Sequence, residues 1–467
     1  MNQREAMVYR KRNPLSQNEA LGYIIIFLCL FLCSVFSFFK ITNYISLISI
    51  IAFMILIYIN IPSFFVKYLC VFFSTMSSLA GVFVIEIMPS FLLTELNTYS
   101  HSVGAFPLIC LGHIVLIVVI RICDVYLFGF EIKSIGEWRN LIKIIKVCNI
   151  ISLFVAFAYG TAFLKIIKYP SFILRMDRFT YINEYGLSGI YSYLVKIASY
   201  LLVFPIISIV YGNRKIGAGT IILYILYCAW TGNKFGPFYE LLILSCIVFY
   251  KSIIEKNSDK VKKVIIRIGI TMTALVLLAA YLSAFYQKQE SYLYNRLAQQ
   301  GQLWWKTYEK CQAEDYHISE INNELNAILY GSSNISDNIG SEFGIYRIMY
   351  YTTSKSIVDA KLARGSRYTE AGYACAYYYF GILGVFAFSV FIGVLMSLIV
   401  NNLIKAISEA KLINIILLVR LFSLERNALS MFEFISFFDF ESIISYMYLL
   451  VFGGRFRIRI KNRGHRE

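Results

Sequence analysis

The sequence predicts an all-α polytopic membrane protein with about twelve transmembrane helices, and three observations predict it. Hydrophobic residues make up 58% of the 467-residue chain and charged residues 15%, with a mean hydropathy of +0.64. Soluble domains run near 45–50% apolar and about 25% charged. The apolar residues gather into runs of roughly 20, the length that crosses a hydrocarbon core as a helix. The basic residues lie in short clusters between those runs, as topology signals do.

Taken in order, the runs 21–39, 41–59, 64–88, 102–122, 144–165, 190–211, 216–230, 236–250 and 264–286 read as nine spans. The runs 371–400, 411–425 and 440–453 complete the set. The seventh, eighth, eleventh and twelfth are short, which leaves ten or eleven spans as the alternative count. A basic head, Arg4 to Arg12, precedes the first run without a small-residue cleavage site. That run reads as a retained span and not a removed signal peptide. With the N-terminus inside, the inner segments hold more than half of the 44 lysines and arginines. They include 121–146, "KSIIEKNSDKVKK" at 251–263 and the tail "RFRIRIKNRGHRE" at 455–467. Both termini are therefore expected in the cytoplasm.

This topology divides the chain into helices one to nine (1–286), an extracytoplasmic loop (287–370), and helices ten to twelve with a basic tail (371–467). A second, shorter outer loop covers 166–189. The long loop is the one composition shift large enough to mark a separate lobe. The formal charge of +16 is spread over topology signals, so nucleic acid is not expected as a partner. Of the ten cysteines only Cys311 lies in a long polar stretch, which excludes a disulfide framework. No CxxC, Cys/His cluster, Walker sequence, GxSxG or HExxH is present. No internal repeat supports a transporter built from inverted halves.

The candidate chemistry lies in the outer segments. The long loop begins acidic, with Glu309, Glu314, Asp315, Glu320 and Glu324, and ends basic, with Arg347, Lys355, Lys361, Arg364 and Arg367. A basic outer segment entering a span runs against the positive-inside bias. Arg364 and Arg367 repeat the i, i+3 spacing of Arg175 and Arg178, which would put each pair on one face of a helix. Guanidinium stays charged and grips phosphate oxygens in two-pronged fashion. Four such groups suit a pyrophosphate head; pairing with Asp177, Glu184 and Glu370 is the plainer alternative. Lys234, in "TGNKFGP", is a phosphate candidate or a snorkelling turn lysine. Glu86, inside the third run, is expensive in a membrane and functional by default, though Pro89 places it near an edge. His101 and His113 read as satisfied helix histidines. The run Tyr377–Phe380 fits an interfacial aromatic belt better than a sugar platform. The first outer turn, at Lys40, carries no acidic pair, which counts against metal-using glycosyltransferases that hold their acids there.

The closing motif "RGSRYTEAGYACAYYYFGILGVF" at 364–386, with "GNKFG" at 232–236 and the span pattern, resembles Wzy-type bacterial polysaccharide repeat-unit polymerases. The resemblance implies an enzyme of the bacterial cytoplasmic membrane, without a metal or cofactor. Such an enzyme moves a growing O-antigen or capsular glycan from undecaprenyl pyrophosphate onto the next lipid-linked oligosaccharide unit. Its partners would be that lipid-linked substrate, membrane lipids, a chain-length regulator and a flippase. On this reading Arg175, Arg178, Arg364, Arg367, Arg347 and Lys234 hold pyrophosphate, and Glu370 or Asp177 is the base. Tyr368 and Tyr377 contact sugar. The rivals are an O-antigen ligase and the lipid-linked oligosaccharide flippase. A ligase would place a loop histidine near the membrane, and the one loop histidine, His317, lies in the acidic half.

Overall fold

The computed structural model describes residues 15–88, 90–128, 145–174, 178–233, 236–254, 262–263, 265–267, 269–270, 292–330, 343–364 and 366–452. The helices are α1 (Gln17–Val35), α2 (Ile41–Asn60), α3 (Pro62–Lys67), α4 (Leu69–Ile87), α5 (Phe106–Ile122), α6 (Ile145–Ile166), α7 (Ser171–Leu174), α8 (Arg178–Tyr185), α9 (Ile190–Tyr200) and α10 (Val203–Tyr211). They continue with α11 (Arg214–Trp230), α12 (Gly236–Ile254), α13 (Tyr292–Ala298), α14 (Gln302–Ala313), α15 (Ile321–Tyr330), α16 (Gly344–Thr352), α17 (Lys355–Ala363), α18 (Gly372–Ser408), α19 (Leu412–Met431) and α20 (Phe440–Phe452). Two-residue strands at Leu92–Leu93 and Thr98–Tyr99 pair antiparallel.

Among the described residues six helical segments are long and apolar enough to cross a membrane, and α9 with α10, bent by 50° at their break, would make a seventh. The chain is therefore an α-helical, multi-pass membrane protein. The four runs marked short in the sequence form α11, α12, α19 and α20, but none passes that test. Most of the ninth run lies outside the described residues. On α1, Leu21, Ile24, Ile25, Leu28, Phe31, Leu32 and Val35 are all exposed, an apolar stripe at helical spacing that suits lipid. Its other side packs on α2 and α5.

Two charge networks inside the bundle are paired, although the buried Glu425 of α19 has no hydrogen-bond partner among the described residues. Lys67 donates to both Asp124 oxygens and to Asn401 Oδ1, each at 2.8 Å. Asp124 sits in a π-helical turn, Cys123–Leu127, and also accepts from Tyr68 and Asn401. Arg121 pairs with Glu19 at 3.2 Å. A buried ion needs every lone pair met, and these networks lock α1, α3, α5 and α18 together.

Two features depart from the sequence reading. The tenth run does not start as a simple crossing. At Gly381 the backbone of α18 turns through φ 60°, ψ −142°, and residues 372–380 fold back along 382–408. Tyr373 OH reaches Ser389 Oγ at 3.2 Å, and its ring meets Phe388 at 5.2 Å. In a straight helix residues 373 and 389 would stand about 24 Å apart. The second arm alone is about 40 Å long, enough to cross.

The long loop, in turn, does not stand apart as a lobe. Its helix α14 packs against α4, α16 and α18, with Trp304 and Trp305 fully buried and donating to the carbonyls of Ala105 and His101. Gly301 makes this approach possible, because a Cβ there would stand 2.3 Å from the Val82 backbone nitrogen.

Gly381 is a direct test of the hairpin. A Cβ at this position would meet the Tyr316 ring at 2.5 Å and sit at positive φ. Gly381→Ala is expected to cost about 1–3 kcal/mol and to lower the melting temperature of the detergent-solubilised protein. Gly160, on α6 with nothing within 4 Å of an added Cβ, is the control: Gly160→Ala should be neutral or slightly stabilising.

Candidate functional site

After α17 the chain leaves helical geometry at Arg364, and residues 366–371 descend into the bundle before α18 begins. Arg364 and Arg367 thus do not share a helical face. They meet instead at a pocket of about 470 Å³ that also takes in Arg296, Lys361, Gln300, Tyr368 and Glu95. Lys361 is ion-paired with Glu95, and burial lowers its pKa against the raising effect of that carboxylate. Arg367 pairs with Glu433 through one contact at 3.3 Å. Arg296 donates to Gln299 at 2.7 Å. The exposed Arg364 side chain has no hydrogen-bond or ion-pair partner among the described residues. Among the described residues the pocket and its surroundings hold four cations, Arg296, Lys361, Arg364 and Arg367, and two carboxylates, Glu95 and Glu433.

Glu370 lies just beyond this pocket on the same strand of chain. Both of its oxygens accept from Ser74, at 3.2 and 3.3 Å. Ser74 is thirteen residues before the end of α4 at Ile87, about 20 Å along the axis, so the carboxyl sits well inside the bundle. Its backbone is in the left-handed region, φ 58°, a strain of the kind that concentrates at functional sites. Burial pushes its carboxyl up to about 8, with the Ser74 hydrogen bond acting in the opposite sense. Part of the residue remains accessible to solvent. Nearby on α12, Tyr239 donates to the Cys70 carbonyl at 3.1 Å and packs on Phe73. The Arg426 guanidinium of α19 lies over the Tyr239 ring at 5.2 Å.

The other sequence candidates fall elsewhere. Arg175, Asp177 and Lys234 lie outside the described residues, and Arg178 is the first residue of α8. Arg347 is ion-paired with Glu320 and donates to Tyr378 OH, away from the residues that line the basic pocket. Tyr368 and Tyr377 have no free ring face for a sugar. Tyr368 is 2% exposed, carries Lys361 over its ring at 4.0 Å and donates to the Glu95 carbonyl. Tyr377 is 4% exposed and packs among Trp304, Tyr308 and Tyr316. The tyrosine run is therefore no lipid-facing belt; Tyr377, Tyr378 and Tyr379 are all buried, and only Phe380 is exposed.

Glu86, functional by default from its sequence position, is a strut. It accepts from the backbone nitrogens of Val103, Gly104 and Ala105 and from Ser102 and Asn43. It thereby satisfies donors at the start of α5 that have no partner within the helix. His113 is a buried helix histidine whose Nδ1 bonds Thr75 at 3.0 Å, while its Nε2 has no partner among the described residues, so it is only half satisfied.

Arg296, Glu95, Ser74, Arg426 and Glu433 were not legible in the sequence. Each comes from a different element, and no spacing links them to 364–370. Arg426 carried no signal either, since it lies one residue past the apolar run 411–425.

Residues 339–446, which hold Arg364, Arg367, Glu370, the α18 hairpin and Arg426, match a family of unknown function (DUF6418). No curated protein and no solved structure matches the chain. Over a little under a quarter of its length, then, and across the segment that builds this site, the chain is similar to that family of unknown function.

Proposed function

We propose that this protein joins lipid-pyrophosphate-linked oligosaccharide repeat units into surface polysaccharide, at the outer face of the bacterial cytoplasmic membrane. The observation that carries the reading is the joining of a positively charged pocket to a carboxyl whose pKa burial raises, by six residues of chain. The pocket holds Arg296, Lys361, Arg364 and Arg367, and the carboxyl is Glu370. In the reaction the bond between the donor sugar's anomeric carbon and the phosphate oxygen breaks. A new bond forms to the acceptor sugar's hydroxyl oxygen, and that hydroxyl's proton passes to Glu370. The lipid pyrophosphate leaves with the electron pair. Arginines aimed at its oxygens stabilise the charge that develops, and a carboxyl poised near the working pH is suited to the proton. The resemblance of "RGSRYTEAGYACAYYYFGILGVF" to repeat-unit polymerases adds to this reading.

One observation favours the O-antigen ligase as second reading. The loop histidine that the sequence places in the acidic half is carried to the α18 hairpin. There the His317 ring stacks on Tyr378 at 4.3 Å, with Glu320 at 3.6 Å. Burial lowers the pKa of its imidazole, against the raising effect of Glu314.

Gene deletion separates these readings. Loss of a polymerase leaves cells with single-repeat surface glycolipid. Long chains retained on undecaprenyl pyrophosphate would instead establish a ligase. Complete loss of surface glycan, with the lipid-linked unit trapped inside, would establish a flippase.

A further inference from the structure

Arg426 lies five residues before the end of α19 at Met431, and the residue is half-buried. Its guanidinium covers the ring of Tyr239 at 5.2 Å, and that ring is held in place from α4. Tyr239 donates to the Cys70 carbonyl at 3.1 Å and packs on Phe73 at 4.4 Å. Ser74, the next residue of α4, donates to both oxygens of Glu370. Adjacent residues of α4 thus carry the aromatic platform under Arg426 and the Glu370 carboxyl. Tyr239 lies within electrostatic reach of both charged groups.

Two observations point to a ligand. The guanidinium makes no hydrogen bond and no ion pair among the described residues, so its five N–H donors are unmet by protein. Glu240 of α12 lies within reach of its charge but forms no ion pair with it. Glu425, the residue before it, has no hydrogen-bond partner either. A cation inside a bundle that lipid surrounds is expensive without a counter-charge and marks a ligand path. Part of the residue remains open, so an anion can reach it. The second observation is the surface alongside: Phe238, the residue before Tyr239, is 44% exposed. A small hydrated ion gains nothing from that surface, whereas a phosphate carried on a lipid covers it with its chain. Stacking on Tyr239 fixes the guanidinium plane, which suits two-pronged contact with phosphate oxygens.

We propose that Arg426 is a second anion-binding centre, separate from the Arg364–Arg367 pocket, that takes the phosphate of a lipid whose head enters the bundle beside Glu370. No residue lining that pocket belongs to α4, α12 or α19, so the two centres are built from different elements. The inference goes beyond the proposed function, because the centre binds lipid phosphate whether or not the protein joins sugars.

The test is binding of radiolabelled farnesyl phosphate to the full chain in detergent, with farnesol, inorganic phosphate and phosphatidylglycerol as competitors. The Arg364→Ala, Arg367→Ala double variant should still bind farnesyl phosphate, and farnesol should not displace it. Adding Arg426→Gln should weaken that binding at least about tenfold. Arg426→Lys, which keeps a cation over Tyr239, should weaken it as well, because lysine loses the two-pronged geometry. Arg426→Gln by itself should not lower the melting temperature, since it removes a charge that has no partner. Unchanged binding by both Arg426 variants would overturn the centre. So would a marked fall in the melting temperature of Arg426→Gln, which would assign the guanidinium to the fold. No binding by the Arg364, Arg367 double variant would show one shared site and overturn the second. Inorganic phosphate that competes as tightly as farnesyl phosphate would overturn the lipid. Displacement by phosphatidylglycerol would support the centre with a bulk lipid in it, and resistance to displacement would support a prenyl phosphate.

Discussion

Replacing Arg364 and Arg367 together by alanine is expected to shorten the product to one or two repeats on a gel. The rate should fall on the order of 100- to 1000-fold, the usual loss when a donor to transition-state charge is removed. Arg364 is exposed and holds no partner among the described residues, so its removal should change stability by no more than about 0.5 kcal/mol. Arg367 contacts Glu433 through a single nitrogen–oxygen pair at 3.3 Å, which leaves the other edge of its guanidinium open to a ligand. Arg367→Lys should therefore fail almost as badly as Arg367→Ala, because lysine keeps the charge and loses the two-pronged geometry. Glu433→Gln tells structure from catalysis: if the Arg367–Glu433 pair only holds the fold, this variant should be as damaged as Arg367→Ala. The measurement is polymer length against the amount of protein in the membrane. Full-length polymer from the double variant would remove these arginines from the site.

Glu370→Gln should be at least as damaging. Glutamine can still accept from Ser74 but cannot take a proton from an acceptor hydroxyl, and losing a general base costs about 100- to 10,000-fold. With the carboxyl pushed up to about 8, the protonated form predominates at pH 7. The base form, and with it the polymerisation rate, should rise about ninefold from pH 6 to 7 and about fivefold from 7 to 8, then level above about 9. Stability should move the other way. The folded pKa lies above the ordinary carboxyl value of 4.5, so the folded state holds the proton more tightly. This contribution is fully present below about 4.5 and is lost as pH rises through about 8. Glu370→Gln should flatten both curves. A rate profile in reconstituted vesicles that stays flat between pH 6 and 8 would show that Glu370 is not the base, whatever the variant's activity.

The basic pocket also bears on how anionic lipid and substrate compete. Its positive charge is set at the end of a descending chain and is partly neutralised by Glu95 and Glu433. Because Arg296 and Arg364 are exposed and Arg367 is only partly buried, salt should weaken anion binding here as it does at an exposed cluster.

Local pattern alone determined that this chain is a bundle of membrane helices. Apolar runs at 21–39, 41–59 and 144–165 became α1, α2 and α6 within a few residues, because a helix in lipid must satisfy its own backbone and needs only an apolar run to do so. The stretch 364–370 was legible as a site for a related reason: guanidinium groups and a carboxyl in a few residues, at the wrong place for a topology signal, are a local anomaly. What local pattern cannot carry is which distant elements meet. Tyr377 read as an interfacial belt because aromatic residues beside an apolar run usually face lipid, yet the turn at Gly381 folds it under Trp304. Glu86 read as chemistry because an acid in a span is costly, yet the nitrogens of residues 103–105 satisfy it. Glu370 and Ser74 are 296 residues apart, and Arg296 reaches the arginine pair from the far side of the loop. Those contacts depend on how long segments pack against one another, so only the tertiary structure decided them.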